Sequence, residues 1–211
     1  MKLKKPKFWD NKKVNFLSFL LLPLTIPIVL NNVFLKLKKK KKYDQIKSIC
    51  IGNIYIGGTG KTPLTIEFYK IFQKLNYKVS TAKKFYKDHL DEQIILQEKT
   101  NLIISPSRQE AINIAINRQD DLIIFDDGLQ EKAIDYDLKF VCFNAKNWIG
   151  NGFLIPSGPL REKINCLTKY DGVFLNGKCQ DIEKIKLIIN KINSKIEIFQ
   201  AFYKPSNLEQ I

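Results

Sequence analysis

Arginine is the scarcest charged residue in this 211-residue chain, present only at Arg108, Arg118 and Arg161, although the formal net charge is +14. Any planar, bidentate phosphate clamp must draw on those three. The excess charge is carried by lysine, which suits a nucleic acid, an anionic membrane surface, or a plain compositional drift toward Lys, Asn and Ile. No basic–aromatic motif of a known nucleic-acid module is present, so no nucleic-acid partner is expected. The four cysteines, Cys50, Cys142, Cys166 and Cys179, form no C-x-x-C spacing. That argues against a zinc site and a disulfide framework and for reduced thiols, two of them within apolar runs that belong in a core. His89 is the only histidine and reads as an exposed, uninvolved side chain. An Asn-Lys-x-Asp motif is missing, Asn176-Gly177-Lys178-Cys179 being a poor approximation, which argues against a guanine-specific GTPase. There is no internal repeat.

The one long apolar run, Val14 to Leu30, is interrupted by Pro23 and Pro27 and flanked by a basic start containing Phe8-Trp9 and by the lysines of 36–42. It sits at the short edge for a transmembrane helix, and the prolines weaken that reading. No small-residue cleavage site follows it, which argues against a secretory signal. An interfacial segment, with apolar side chains in the bilayer and lysines against anionic lipid, fits better than a helix packed on its own domain. Residues 1–45 are therefore expected to form a membrane-docking segment and residues 46–211 a single folded domain.

From Ile46 onward, short apolar runs alternate with helical stretches. Strands are expected at Ile49–Ile54, Tyr77–Ala82, Leu102–Ile104, Leu122–Phe125, Phe140–Phe143, Gly172–Leu175 and Ile196–Phe199. Helices are expected at Thr62–Leu75, Ser107–Asn117 and Ile182–Ile192. This pattern gives an α/β class with a parallel sheet covered on both faces.

The stretch from Ile49 to Pro63 carries the chemistry. An apolar strand runs into Gly57-Gly58-Thr59-Gly60-Lys61-Thr62, and a helix follows. Backbone amides of such a loop cradle phosphates, the lysine reaches the outer phosphates and the threonine hydroxyl binds Mg²⁺. Tyr55 replaces the first glycine of the strict G-x-x-x-x-G-K-[ST] pattern. A P-loop NTPase-like fold binding ATP and Mg²⁺ is the expectation; a glycine-rich turn that binds nothing is the alternative. Leu122-Ile123-Ile124-Phe125-Asp126 ends an apolar run in an acid, the position from which an aspartate stands beside the loop-bound metal.

Three ordered motifs now converge. The Gly57–Pro63 loop, Asp126-Asp127-Gly128-Leu129-Gln130, and Gly150-Asn151-Gly152 followed by Pro156-Ser157-Gly158-Pro159-Leu160-Arg161-Glu162 together resemble the tetraacyldisaccharide 4′-kinase family. The resemblance covers roughly residues 8 to 211, and the apolar N-terminus is similar to that family's membrane-docking helix. It implies a kinase that phosphorylates a lipid A precursor, an acylated disaccharide 1-phosphate, at the cytoplasmic face of the inner membrane, with no obligate protein partner. By resemblance, Lys61 and Thr62 serve the ATP phosphates and Mg²⁺, and Asp126 and Asp127 supply acid around the metal. Asp91 would activate the acceptor hydroxyl, a solvated acid at a helix start being the other reading. Arg161 would touch nucleotide and Glu162 the metal.

The chain departs from the family in four places. Ala82-Lys83-Lys84-Phe85-Tyr86 stands where the family has Ser-Arg-Gly-Tyr, Glu131 replaces a histidine, and the connection from Tyr86 to Asp91 is short. The family continues past this point with a Gly-Ile-Gly-Asn-Pro loop and a histidine that partners the catalytic aspartate, whereas this sequence ends at Ile211. The expectation is either a fragment or a short gene in which Asp91 acts without that partner. The alternative function is a catalytically impaired, membrane-associated nucleotide-binding protein.

Overall fold

The computed structural model describes residues 5–11, 15–37, 39–85, 90–131 and 133–203. His89, Tyr86 and Val14, singled out above, lie outside the described residues. Seven strands, β1 (Lys47–Gly52), β2 (Val79–Lys84), β3 (Leu102–Ser105), β4 (Leu122–Asp126), β5 (Leu138–Asn144), β6 (Gly172–Asn176) and β7 (Glu197–Ala201), form one sheet. Its order is β3-β2-β4-β1-β5-β6-β7 and every pairing is parallel. The central strands are continuous apolar runs, as expected where both faces are covered. Side chains alternate between faces along each strand. Ile49, Ile51, Ile124 and Cys142 pack beneath α3 (Lys61–Lys74) with Leu64 and Phe68, while Cys50, Ile123, Phe125 and Val141 join Ala111, Ile112, Ile185 and Ile189 on the other face. The latter come from α5 (Arg108–Asn117) and α6 (Ile182–Ile192).

All seven expected strands exist, with shifted ends. β1 stops at Gly52 rather than Ile54, because Asn53 already turns into the loop and its amide donates to the Thr59 hydroxyl at 3.2 Å. β2 starts later than expected and runs two residues further, through Lys83 and Lys84. Ser107 caps α5 by accepting from the Glu110 backbone N–H at 3.2 Å.

One helix has no counterpart in the expectation: α4 (Leu90–Lys99), whose buried residues are Gln93 and Leu96 while Leu90, Ile94 and Ile95 are exposed. Its apolar positions do not mark the buried face, so periodicity misses it.

The N-terminal apolar run is divided into α1 (Phe16–Leu20), a 3-10 turn (Leu22–Thr25) and α2 (Ile26–Leu37). Pro23 opens the 3-10 turn, and Pro27 sits in the first turn of α2, where its missing N–H is not needed. No described helix is long and apolar enough to cross a membrane. Phe16, Phe19, Leu20, Leu24, Leu30 and Phe34 are exposed, Phe16 to 76%.

Candidate active site

In a parallel sheet, ligands gather beyond the carboxyl ends of the strands where the chain switches direction. Here that point lies past β1, with β4 and then β2 on one side. The loop after β1 is shaped by glycines whose conformations other residues resist: Gly57 has φ 140° and Gly60, the N-cap of α3, has φ 81°. A Cβ on Gly58 would meet nothing within 4 Å, so its backbone is open to a close approach.

The loop is braced from outside. Asn176, at the end of β6, donates its side-chain amide to the Thr59 carbonyl, and the Tyr203 hydroxyl donates to the Gly60 carbonyl at 2.7 Å. Tyr55 is buried, and its hydroxyl bonds Asp10 and Lys5 of the N-terminal arm. It does not line the cleft.

Thr62, on the first turn of α3, donates its hydroxyl to Asp126 Oδ2 at 3.0 Å. The same oxygen receives the Lys83 ammonium at 2.5 Å, and that ammonium also reaches Glu92 Oε2 on α4 at 2.5 Å. Burial pulls the Lys83 pKa down, but the charges and hydrogen bonds of Asp126 and Glu92 outweigh it and hold the ammonium above its ordinary value. Asp126 Oδ1 is buried with no partner among the described residues.

Asp127 follows in a left-handed turn, φ 64°. Its Oδ2 lies 3.9 Å from Lys61 Nζ and 3.6 Å from Arg161 Nη1, and its Oδ1 is also buried without a partner among the described residues. Arg161 bonds Gln130 Oε1 at 3.1 Å as well, and its backbone N–H donates to the Ile54 carbonyl at 2.7 Å, fastening the Pro156–Glu162 loop to the phosphate loop.

These groups line one cleft of about 1160 Å³. Gly57, Gly58, Thr59, Gly60, Lys61, Thr62, Asp126, Asp127, Arg161 and Glu162, all singled out in the sequence, meet there. Asp91 does not: it is exposed on the first turn of α4, and its neighbour Glu92 faces the cleft instead. Several cleft residues receive no site role from the sequence. Lys83 stands only as a departure from the family's Ser-Arg-Gly-Tyr, Glu92 receives no role, and none is assigned to Arg108, which donates to the Asp127 carbonyl. Its one available signal was the scarcity of arginine. Ile28, Asn31 and Asn32 of α2 form the opposite rim.

The residues fit a magnesium–nucleotide. Buried Asp126 and half-buried Asp127 each keep one oxygen unpartnered among the described residues, and the cations Lys61 and Arg161 stand beside Asp127 at the cleft. No described group of three or more His, Cys, Asp or Glu could hold a metal by itself. That suits a cation bound through one or two protein ligands plus phosphate oxygens and water.

The family model described as tetraacyldisaccharide-1-P 4′-kinase matches residues 17–211. The tetraacyldisaccharide 4′-kinase of Pelagibacter ubique is 50% identical over the whole of this chain and 67% of its own length. That of Histophilus somni is 32% identical over 93% of this chain and 70% of its own. Among solved structures, LpxK from Aquifex aeolicus in complex with ATP superposes with a TM-score of 0.65 at 16% identity, covering 92% of this chain and 86% of that one. The signal recognition particle receptor FtsY from Elizabethkingia anophelis reaches 0.53 at 11% identity, covering 87% and 68%. The structural matches establish a P-loop NTPase-like fold. Motifs, cleft and sequence relatives agree: this chain belongs to the tetraacyldisaccharide 4′-kinase family.

Proposed function

We propose that the chain transfers the γ-phosphate of ATP to the 4′-hydroxyl of a tetraacyldisaccharide 1-phosphate at a membrane surface. The observation that carries this reading is the shared cleft: the phosphate loop forms one wall and α2, the last part of the exposed apolar segment, forms the other. A soluble acceptor would need no such rim; an amphiphile held by its acyl chains in a bilayer would be presented across it.

Each residue then has a role. Lys61 and the amides of Gly57–Thr62 hold the phosphates and stabilise charge on the transferring group. Arg161 adds a planar donor on the nucleotide side. Thr62 and Asp126 hold Mg²⁺, with Asp127 and Glu162 supplying further acid around it. The cation, when bound, offsets the negative charge of the phosphate oxygens. Asp91, one residue from Glu92 on the turn bordering the cleft, is the proposed base for the acceptor hydroxyl.

The membrane reading rests on α1 and α2. Their exposed phenylalanines and leucines, close to the lysine-rich stretch that follows, form a surface suited to the anionic cytoplasmic leaflet of an inner membrane. The division into a docking segment, 1–45, and a catalytic domain, 46–211, follows the same line.

The test is γ-phosphate transfer from Mg-ATP to acylated disaccharide 1-phosphate in detergent micelles, using this chain. Phosphate at the 4′ position is expected. ATP binding without any lipid product would overturn the kinase reading.

A further inference from the structure

We propose that Lys83 is a positioning residue for phosphoryl transfer, tying the metal-side acid Asp126 to the helix that carries Asp91. The inference rests on the kinase reading above and adds a residue to it. Lys83 lies at the carboxyl end of β2, and β2 pairs with β4 so that Ala82 stands opposite Phe125. One residue further, the lysine and Asp126 meet side by side above the sheet edge.

The geometry is that of a tether. The Lys83 side chain is only 4% exposed, and its ammonium holds Asp126 Oδ2 and Glu92 Oε2, both at 2.5 Å. The Asp126 side chain is fully buried. With Thr62 and Lys83 both on Oδ2, that carboxylate is fixed in rotation and Oδ1 is left as its free oxygen among the described residues. A buried carboxylate set by two donors is oriented before any cation arrives.

The other end of the tether acts on α4. Glu92 belongs to the first turn of that helix, beside Asp91. The apolar support beneath α4 is thin: Leu96 is fully buried, but Leu90, Ile94 and Ile95 are exposed. A helix held by so little apolar contact depends on its polar anchor for its place. Lys83 therefore couples two positions that phosphoryl transfer needs together, the acid beside the cation and the turn beside the acceptor. Misplacing a reacting group by about 1 Å costs roughly a hundredfold in rate, which sets the scale of the effect.

The experiment combines turnover with amide hydrogen exchange. Lys83→Met is expected to lower kcat about a hundredfold while changing the KM for ATP less than about threefold. Lys83→Arg, which keeps the charge and can still bridge two carboxylates, is expected to retain at least about a tenth of the wild-type kcat. In the nucleotide-free protein, Lys83→Met should speed exchange across Leu90–Lys99 and leave Arg108–Asn117 as in the wild type. Should Lys83→Met fail to fold, Glu92→Ala decides alone, since it removes the acceptor that Lys83 holds on α4 and leaves Lys83 on Asp126. It is expected to show the same kcat-selective loss and the same faster exchange across α4. The Lys83→Met/Glu92→Ala double variant should be no slower than Lys83→Met alone, because both remove one connection.

Multiplying effects in the double variant, or unchanged α4 exchange in Glu92→Ala, would overturn the tether. If the wild-type chain does not phosphorylate the acylated disaccharide, the kinase reading fails. The exchange measurement needs no acceptor and still decides the tether: faster α4 exchange supports it, unchanged exchange overturns it.

Discussion

Thr62 Oγ1 donates to Asp126 Oδ2 at 3.0 Å, closing the first turn of α3 onto the end of β4. The phosphate loop and the acidic strand end are thereby one unit before any ligand binds. Thr62→Ala removes both a proposed cation ligand and this link, so Mg-ATP-dependent turnover should fall about a hundredfold, the scale set by misplacing a reacting group. The melting temperature without nucleotide should fall by no more than about 10 °C, because one hydroxyl hydrogen bond to a carboxylate contributes about 1.5–3 kcal/mol. Steady-state kinetics beside a thermal melt would check this; full turnover in Thr62→Ala would remove it from the metal site.

Lys61 faces Asp127 at 3.9 Å across the cleft. Lys61→Ala should weaken ATP binding by at least about tenfold, a loss of about 1.4 kcal/mol, since a desolvated phosphate loses its nearest ammonium. Titration calorimetry with a non-hydrolysable ATP analogue reads it directly. Unaltered affinity would mean the nucleotide sits elsewhere.

Gly60→Ala should damage the loop twice. The left-handed φ of 81° costs an L-residue about 1–2 kcal/mol, and the new methyl would collide with the Tyr203 hydroxyl. Lower ATP affinity together with a lower melting temperature is expected. Tyr203→Phe in the same background should relieve only the hydroxyl contact, leaving the approaches to the ring carbon and to the Asn176 amide, both at 2.8 Å, and the backbone cost in place.

Exposed apolar side chains at Phe16, Phe19 and Leu20 make a specific demand on lipid. Burying a large apolar side chain contributes about 1.5–3 kcal/mol, so replacing all three by serine should cut co-sedimentation with anionic vesicles by more than about tenfold. ATP affinity should not change, as none of the three lines the cleft. Equal sedimentation of the triple variant would place the membrane contact on another surface.

Cys50 and Cys142 are fully buried, and burial pushes both thiols well above the ordinary thiol range. Alkylation needs the thiolate, so neither should be labelled in the native protein up to about pH 8–9, where free thiols ionise. Cys179 is only partly buried and should be labelled first, with the strand thiols following on unfolding. Mass spectrometry of labelled peptides would check the order; native labelling of Cys50 would contradict the sheet core described here.

The sheet was legible where burial and apolar composition coincide. Ile49 to Ile51 and Leu122 to Phe125 are buried on both faces, so an uninterrupted apolar run was a sufficient signal. The phosphate loop was legible for a local reason: glycines, lysine and threonine at fixed spacing perform their roles through backbone geometry that neighbouring residues already set.

Elements whose character depends on distant partners were not legible. β2 runs on through Lys83 because Asp126, 43 residues away, neutralises a charge that otherwise belongs in water. α4 turns Gln93 inward and Ile94 outward, so its sequence gives no helical stripe. Sequence by itself determined the fold class, the family and most of the charged groups that line the cleft, since these follow from local pattern and spacing. Only the tertiary structure decided that Glu92 rather than Asp91 faces the cleft, that Arg108 joins it, and that a buried lysine ties its two sides together. Those outcomes depend on which charges are brought within hydrogen-bond reach, and strand order, not spacing along the chain, sets that.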